Sequence, residues 1–165
     1  MKSALIIGNA RYGDQILAQL KTPKADARAL ADVLNNRDIG GFDEVTLVLD
    51  RTQREIGVEI LNFLKSKKLN DLALLYFSGH GVLDNHGQLY LAAADTVVEE
   101  LAATAIPASF VIQRMDDCRA KKQLLILDCC HSGAFAEGTK GGEQKAITEA
   151  SFKSQGIGFG PQVHA

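Results

Sequence analysis

Two apolar runs, each ending abruptly in small and polar residues, constrain the fold of this chain more than any other feature. The first occupies residues 72–81 and reads LALLYFSGHG; the second occupies residues 124–133 and reads LLILDCCHSG. Continuous apolar runs of this length are typical of strands buried on both faces of a parallel sheet. Open parallel sheets hold their active sites at the C-terminal ends of their strands. The polar residues that end the two runs are therefore predicted to form a site.

The remaining patterns alternate between strand and helix. Helices are predicted to begin at Pro23 and Pro107, and another after Thr52, which makes a capping box with Glu55. A turn at residues 84–87 predicts a small hairpin. Strands are predicted at residues 4–8, 45–49, 72–77 and 123–127. This order predicts an α/β fold with a mostly parallel sheet and right-handed crossovers.

Composition excludes several functions. A chain of 165 residues is long enough for one domain with a substantial core. A net charge of -2 gives no indication of a nucleic-acid surface. No run of 18 apolar residues and no signal-peptide pattern are present, so no membrane partner is expected. Three cysteines cannot form a disulfide framework, which favours a reducing compartment and predicts a cytoplasmic protein.

A thiol and an imidazole at neighbouring strand ends suggest nucleophilic catalysis. Strands in a sheet lie about 4.8 Å apart, so His80 can reach a thiol that follows the second run. A nearby imidazole lowers the pKa of a thiol and favours the nucleophilic thiolate. A lone His or Cys would more often be structural, but the two motifs together favour a catalytic pair. Successive strand residues face opposite ways, so Asp128 and Cys130 share one side and Cys129 takes the other.

The two motifs together resemble the caspase and metacaspase family of cysteine endopeptidases, in its metacaspase-like prokaryotic form. The resemblance covers roughly residues 3 to 135. It implies a caspase-like three-layer α-β-α sandwich with a mostly parallel sheet. It also implies that His80 and Cys130 are the catalytic residues, because the family's nucleophile directly precedes His-Ser-Gly and follows the His by roughly 50 positions. Cys129 and Cys118 are then expected to fill space in the core.

The same resemblance assigns an oxyanion site and a substrate pocket. The backbone N–H groups of Gly81 and Cys130 are expected to hold the oxyanion, although Gly81 could also serve only as a turn former. Asp26, Ser78 and Asp128 match the positions that line the pocket for the residue before the scissile bond. Asp26 could instead be an exposed first-turn acid stabilised by the helix dipole. Two carboxylates in a pocket require a cationic guest, so cleavage after Arg or Lys is predicted.

Zinc and other cofactors are not expected, and calcium dependence is possible but disfavoured. Cys129, Cys130 and His131 are adjacent and diverge in extended chain, and no second Cys/His cluster completes a tetrahedral zinc site. Many metacaspases use calcium through clustered acids after the His motif. Here that segment holds only four scattered acids, which do not make a dense oxygen-ligand loop. They are Asp84, Asp95, Glu99 and Glu100.

Beyond residue 135 the pattern changes. Residues 1–135 are predicted to form the catalytic domain, the large-subunit portion of the family fold, and residues 136–165 a Gly-rich mobile loop or tail. The small-subunit strands of the family have no counterpart in the sequence, so a small-subunit segment is a possible partner that completes the sheet. The tail carries Lys140, Lys145 and Lys153, after which self-cleavage is expected.

The sequence also bears on two functions other than that of a peptidase. A non-catalytic caspase-like scaffold or peptide-binding module would share the fold, but the presence of both His80 and Cys130 argues against loss of catalysis. A nucleotide-binding Rossmann-like domain is disfavoured because Gly8-Asn9-Ala10-Arg11 lacks the Gly-x-Gly-x-x-Gly turn.

Overall fold

The computed structural model describes residues 1–129 and confirms an α/β fold. In this part of the chain the strands are β1 (Lys2–Gly8), β2 (Glu44–Leu49), β3 (Leu72–Ser78), β4 (Gly81–Leu83), β5 (Leu89–Leu91), β6 (Ile106–Pro107) and β7 (Lys122–Asp128). The α-helices are α1 (Pro23–Asn35), α2 (Gln53–Lys65), α3 (Leu101–Thr104) and α4 (Ala108–Asp116). A 3₁₀ turn at Val98–Glu100 precedes α3. The predicted division at residue 135 and the Gly-rich tail lie outside the described residues.

Four parallel strands form the central sheet in the order β2-β1-β3-β7. Alternate residues of β1 and β3 point to opposite faces, and each face has its own helical layer. On one face, Ile6 and Leu74 pack against the buried face of α1. On the other, Leu5 and Phe77 belong to a larger core with α2 and α4. The expected three-layer α-β-α sandwich is therefore confirmed.

Local sequence signals set the helix starts as predicted. Pro23 occupies the first turn of α1, where its missing N–H costs no hydrogen bond. Thr52 and Glu55 form the predicted capping box at the start of α2, with Thr52 N–H 2.9 Å from Glu55 Oε2. Gly8 allows α1 to approach β1 closely, since a Cβ there would lie 2.8 Å from Pro23 O and 2.9 Å from Ala27 Cβ. This close contact brings the first turn of α1 to the C-terminal end of the sheet.

The last strand differs from its prediction. The run that forms β7 was expected to be buried on both faces, but Leu124 is 48% exposed and Ile126 is 37% exposed. The physical reason is that, within residues 1–129, β7 pairs only with β3 and lies beyond the area that α1 covers. Leu125 and Leu127, on the opposite face, pack against the larger core. An apolar run predicts a strand, but it does not reveal how many neighbours the strand has.

A second, smaller sheet follows β3. The predicted hairpin is confirmed as the antiparallel pair β4 and β5, and β6 adds a third strand through Tyr90 and Pro107. The sequence predicted neither β6 nor α3, because elements of two to four residues have no periodicity to detect. No helix among the described residues is both long and apolar enough to cross a membrane.

Candidate active site

The C-terminal ends of β1, β3 and β7 meet at one edge of the central sheet. Gly8 is in register with Ser78, and Ser78 is in register with Asp128. Just beyond, Asn9 N–H donates to Ser78 O at 2.9 Å, and Gly79 N–H donates to Asp128 O at 3.3 Å. Ser78, Gly79 and Asp128, which sequence analysis placed at strand ends, are thus brought together, as expected for an open parallel sheet.

His80 lies just past the end of β3 and is buried. Its Nε2 is 2.8 Å from the carbonyl oxygen of Ala18. A carbonyl oxygen can only accept a hydrogen bond, so this contact requires a proton on Nε2. In the neutral imidazole the lone pair then resides on Nδ1. Ala18 therefore fixes the ring orientation and leaves Nδ1 as the nitrogen that can accept or return a proton.

The loop that carries Ala18 connects β1 to α1 and is held at several points. Tyr12 and Gln19 make two hydrogen bonds across this loop. Tyr12 N–H donates to Gln19 Oε1 at 3.1 Å, and Gln19 Nε2 donates to Tyr12 O at 2.9 Å. Leu20 N–H donates to Ala10 O at 2.8 Å. Asp50 accepts the N–H of Ala10 at 2.8 Å. Because these contacts anchor both ends of the loop, the Ala18 carbonyl is held in place before any substrate arrives.

Tyr12 also contacts His80 directly, which sequence analysis did not anticipate. The Tyr12 hydroxyl accepts the backbone N–H of His80 at 3.0 Å and donates to the carbonyl oxygen of Asn9 at 2.7 Å. Its ring centroid is 4.9 Å from that of the imidazole. A Cβ on Gly79 would lie 2.9 Å from the Tyr12 hydroxyl oxygen, so glycine is required for this approach. Burial raises the pKa of Tyr12 to about 12, and the phenol stays protonated at neutral pH.

The predicted pocket residues converge on the α1 face of the sheet. Ser78 is buried, and its Oγ is 3.5 Å from Asp128 Oδ2. Tyr76, which sequence analysis missed, lies on the same face two residues earlier, and its hydroxyl donates to the same oxygen at 3.1 Å. Burial raises the pKa of Tyr76, and the carboxylates of Asp128 and Asp26 add to the increase. Asp26 is exposed in the first turn of α1, and its negative charge acts on the Tyr76 hydroxyl.

Gly81 begins β4, and the hydrogen-bonding pattern of the hairpin sets the direction of its N–H. Ala92 N–H donates to His80 O at 2.9 Å, so His80 and Ala92 occupy a hydrogen-bonded position. Antiparallel pairs alternate between bonded and non-bonded positions, so the next pair, Gly81 and Leu91, is non-bonded. The Gly81 N–H is therefore directed away from β5. This orientation is compatible with the predicted oxyanion role.

The predicted nucleophile, Cys130, lies outside the described residues, as do His131 and the lysines of the tail. The preceding residue, Cys129, is described and packs against the larger core on the α2 and α4 face. A Cβ on Gly81 would lie 3.1 Å from Cys129 Sγ, so the Cys129 thiol faces the start of β4. Cys118 also packs against that core, just after α4, with its Sγ 3.4 Å from Leu64 O. Both described cysteines are in contact with the core, as predicted for space-filling thiols.

Within residues 1–129 no group of three or more His, Cys, Asp or Glu side chains could hold a metal ion. Two of the acids considered for calcium have structural roles. Asp84 accepts the N–H groups of His86 and Gln88 in the hairpin turn, and Asp95 accepts the N–H of Gln53 at the start of α2.

Comparisons with known proteins identify proteins to which this chain is similar. The chain is 26% identical over 129 residues to mucosa-associated lymphoid tissue lymphoma translocation protein 1 of Homo sapiens, and equally to its Mus musculus homologue. Each match covers 78% of this chain but only 15% of the relative. Among solved structures, protein GSU0716 from Geobacter sulfurreducens matches with a TM-score of 0.63 and 21% identity, over 80% of this chain and 51% of that one.

The chain thus spans about half of the solved neighbour and a small part of the curated relatives. The structural match supports the fold. The family model described as the caspase domain matches residues 1–158, almost the full sequence. The chain belongs to the caspase domain family of peptidases.

Proposed function

We propose that this chain is a metacaspase-like cysteine endopeptidase that cleaves after Arg or Lys through a His80 and Cys130 dyad. The observation that carries the proposal is the fixed imidazole of His80, whose Nε2 is bonded to Ala18 O at 2.8 Å beside the strand that leads to Cys130. An imidazole oriented by a carbonyl has one free nitrogen for proton transfer, which is what a thiol nucleophile requires.

The choice of Cys130 over Cys129 is supported by the direction of the Cys129 side chain. Cys129 packs against the larger core, on the face opposite to Ser78 and Asp128. Side chains alternate along an extended chain, so the next residue is expected on the side of the substrate pocket. The proposed nucleophile would then lie beside the residues that bind the substrate.

The proposed reaction begins with transfer of the Cys130 thiol proton to Nδ1 of His80. The thiolate attacks the carbonyl carbon of the scissile bond, and the N–H groups of Gly81 and Cys130 stabilise the oxyanion. The imidazolium returns its proton to the leaving amine as the carbon–nitrogen bond breaks, which leaves a thioester on Cys130. Water then hydrolyses the thioester, with His80 as the base. Free thiol chemistry of this kind suits a reducing compartment such as the cytoplasm.

The preference for a basic substrate is supported by the charge of the pocket. Asp26 and Asp128 contribute negative charge there, and the hydroxyls of Ser78 and Tyr76 both contact Asp128. Caspases that cleave after Asp would need basic side chains at this place. Arg28 lies two positions beyond Asp26 on α1 and therefore projects in a different direction around the helix.

A set of variants tests the dyad. Fluorogenic peptides with Arg, Lys or Asp before the scissile bond are assayed with the 165-residue chain. His80→Ala and Cys130→Ala should each lower kcat/KM by at least about a thousandfold, while Cys129→Ser, the matched thiol control, should keep most of the activity. Loss of activity in Cys129→Ser but not in Cys130→Ala would overturn the assignment. Thermal unfolding of each variant separates loss of catalysis from loss of fold.

A non-catalytic module that binds a partner peptide is the second candidate. The exposed edge of β7, which pairs only with β3 among residues 1–129, favours it. An open strand edge can pair with an extended peptide, or with the small-subunit segment of the family fold. Peptide binding without turnover, unchanged in Cys130→Ala, would favour this candidate over the peptidase.

A further inference from the structure

Two hydroxyl groups contact the Asp128 carboxylate, and the contact from Tyr76 is the shorter one. Its oxygen is 3.1 Å from Asp128 Oδ2, whereas Ser78 Oγ is 3.5 Å from the same atom. Hydroxyl to oxygen hydrogen bonds usually measure about 2.5–3.0 Å, so the Tyr76 contact lies just beyond this range and the Ser78 contact lies well beyond it. Tyr76 is therefore the main described donor to this carboxylate oxygen.

The two partners differ greatly in burial. Tyr76 is buried, and it belongs to the core on the α1 face of the sheet, together with α1 residues such as Ala27 and Ala31. A packed aromatic ring has few rotamers available. Asp128 is exposed at the end of β7 and would otherwise be free to rotate about its terminal torsion. The buried ring thus fixes the plane of an exposed carboxylate.

The orientation of the carboxylate plane affects the binding of an Arg guanidinium more than the binding of a Lys ammonium. A guanidinium is a planar fork that pairs with both oxygens of a carboxylate when the two groups are coplanar. An ammonium is a compact charge that can approach a carboxylate oxygen from many directions. A carboxylate held in one plane therefore favours Arg, while a rotating carboxylate loses part of this advantage and still attracts Lys.

We propose that Tyr76 is a positioning residue for substrate selection, which orients Asp128 so that the pocket prefers Arg to Lys before the scissile bond. The inference rests on the proposed function, since it concerns the pocket of that peptidase. Burial and the nearby carboxylates raise the pKa of Tyr76, so its hydroxyl keeps its proton and remains a donor at neutral pH. Ser78 alone, at 3.5 Å, is too distant to keep the carboxylate plane fixed.

The test compares two peptides that differ only in Arg or Lys before the scissile bond. Tyr76→Phe removes the hydroxyl and keeps the ring. It should lower kcat/KM for the Arg peptide by about tenfold and for the Lys peptide by less than about threefold. This difference is expected because Asp128 loses the hydrogen bond that orients it for pairing with the guanidinium. Tyr90→Phe, on β5 and outside the pocket, is the matched control for removal of a buried phenol hydroxyl and should leave the ratio unchanged.

Thermal unfolding checks that Tyr76→Phe is folded. A second variant, Tyr76→Met, also removes the hydroxyl while a flexible apolar chain fills the space, and it should shift the ratio in the same direction. Equal losses for both peptides, or an unchanged ratio in active Tyr76 variants, would refute the inference and leave the proposed function intact. Absence of Arg and Lys cleavage by the unsubstituted chain would refute the proposed function and this inference with it.

Discussion

Tyr12 links the fold to His80, the proposed catalytic His, and its replacement by Phe leads to a quantitative prediction. The substitution removes the hydroxyl that accepts His80 N–H and donates to Asn9 O. Both backbone groups are buried and would lose their partner. A buried group without a hydrogen bond costs about 1–3 kcal/mol, partly offset by removal of the hydroxyl itself. We expect Tyr12→Phe to lower the free energy of unfolding by about 2 kcal/mol at pH 8.

The size of this difference should depend on pH. Burial raises the Tyr12 pKa from 10.0 to about 12 in the folded chain. A raised pKa contributes stability that is complete below the unfolded pKa and is lost as the pH rises through the folded pKa. The advantage of Tyr12 over Phe should therefore shrink above pH 10, by about 1.4 kcal/mol at pH 11. Other alkaline groups, including Tyr76, titrate in both proteins and cancel in the difference.

Urea unfolding at pH 8, 10 and 11 measures the effect. The unsubstituted chain, Tyr12→Phe and the control Tyr90→Phe are compared at each pH. A stability difference between the first two that stays constant from pH 8 to pH 11 would refute the assignment of a buried, protonated phenol. In the peptidase assay, Tyr12→Phe should lower kcat more than it raises KM, because Tyr12 contacts His80 and not the substrate pocket.

Two further predictions concern the substrate. Asp128→Ala should lower kcat/KM for Arg and Lys peptides by at least about tenfold, because the cationic side chain of the substrate loses its main carboxylate partner. If the unsubstituted chain prefers Asp peptides in the same assay, the pocket assignment is wrong. Self-cleavage after Lys140 or Lys145 should occur in the active chain and be absent in Cys130→Ala, since residues 10 to 15 positions beyond Cys130 in the same chain have a high effective concentration at its thiol. Intact mass spectrometry decides this, and a tail that stays whole while peptide is cleaved would reject it.

Much of the fold could be predicted because local patterns and tertiary structure agree. The apolar runs before Ser78 and Asp128 became adjacent parallel strands in register, which is the consequence of the alternating strand and helix order. Pro23 and the Thr52 capping box fixed two helix starts through contacts within a few residues. The sequence alone is enough to predict such helix starts, because the interacting groups are near one another along the chain.

The sequence did not reveal the contacts that residues of the loop between β1 and α1 make with His80. Ala18 contributes only its carbonyl to His80, and any residue type could occupy such a position. Tyr12 reaches His80 over 68 positions of sequence, and only the folded loop brings them together. Tyr76 is different, because strand alternation places it on the same face as Ser78 and could have indicated the pocket.

Gly79 explains how one short segment can carry both the proposed binding residues and the proposed catalytic His. Before it, Tyr76 and Ser78 follow the alternation of β3 and hold Asp128 on the α1 face of the sheet. After it, the chain leaves the sheet, so that His80 lies against Tyr12 and Gly81 starts β4. A side chain at residue 79 would collide with the Tyr12 hydroxyl and force the two parts apart. The Gly between Ser78 and His80 thus separates the proposed pocket residues, which are placed by strand register, from the proposed catalytic imidazole, which is oriented by the loop between β1 and α1.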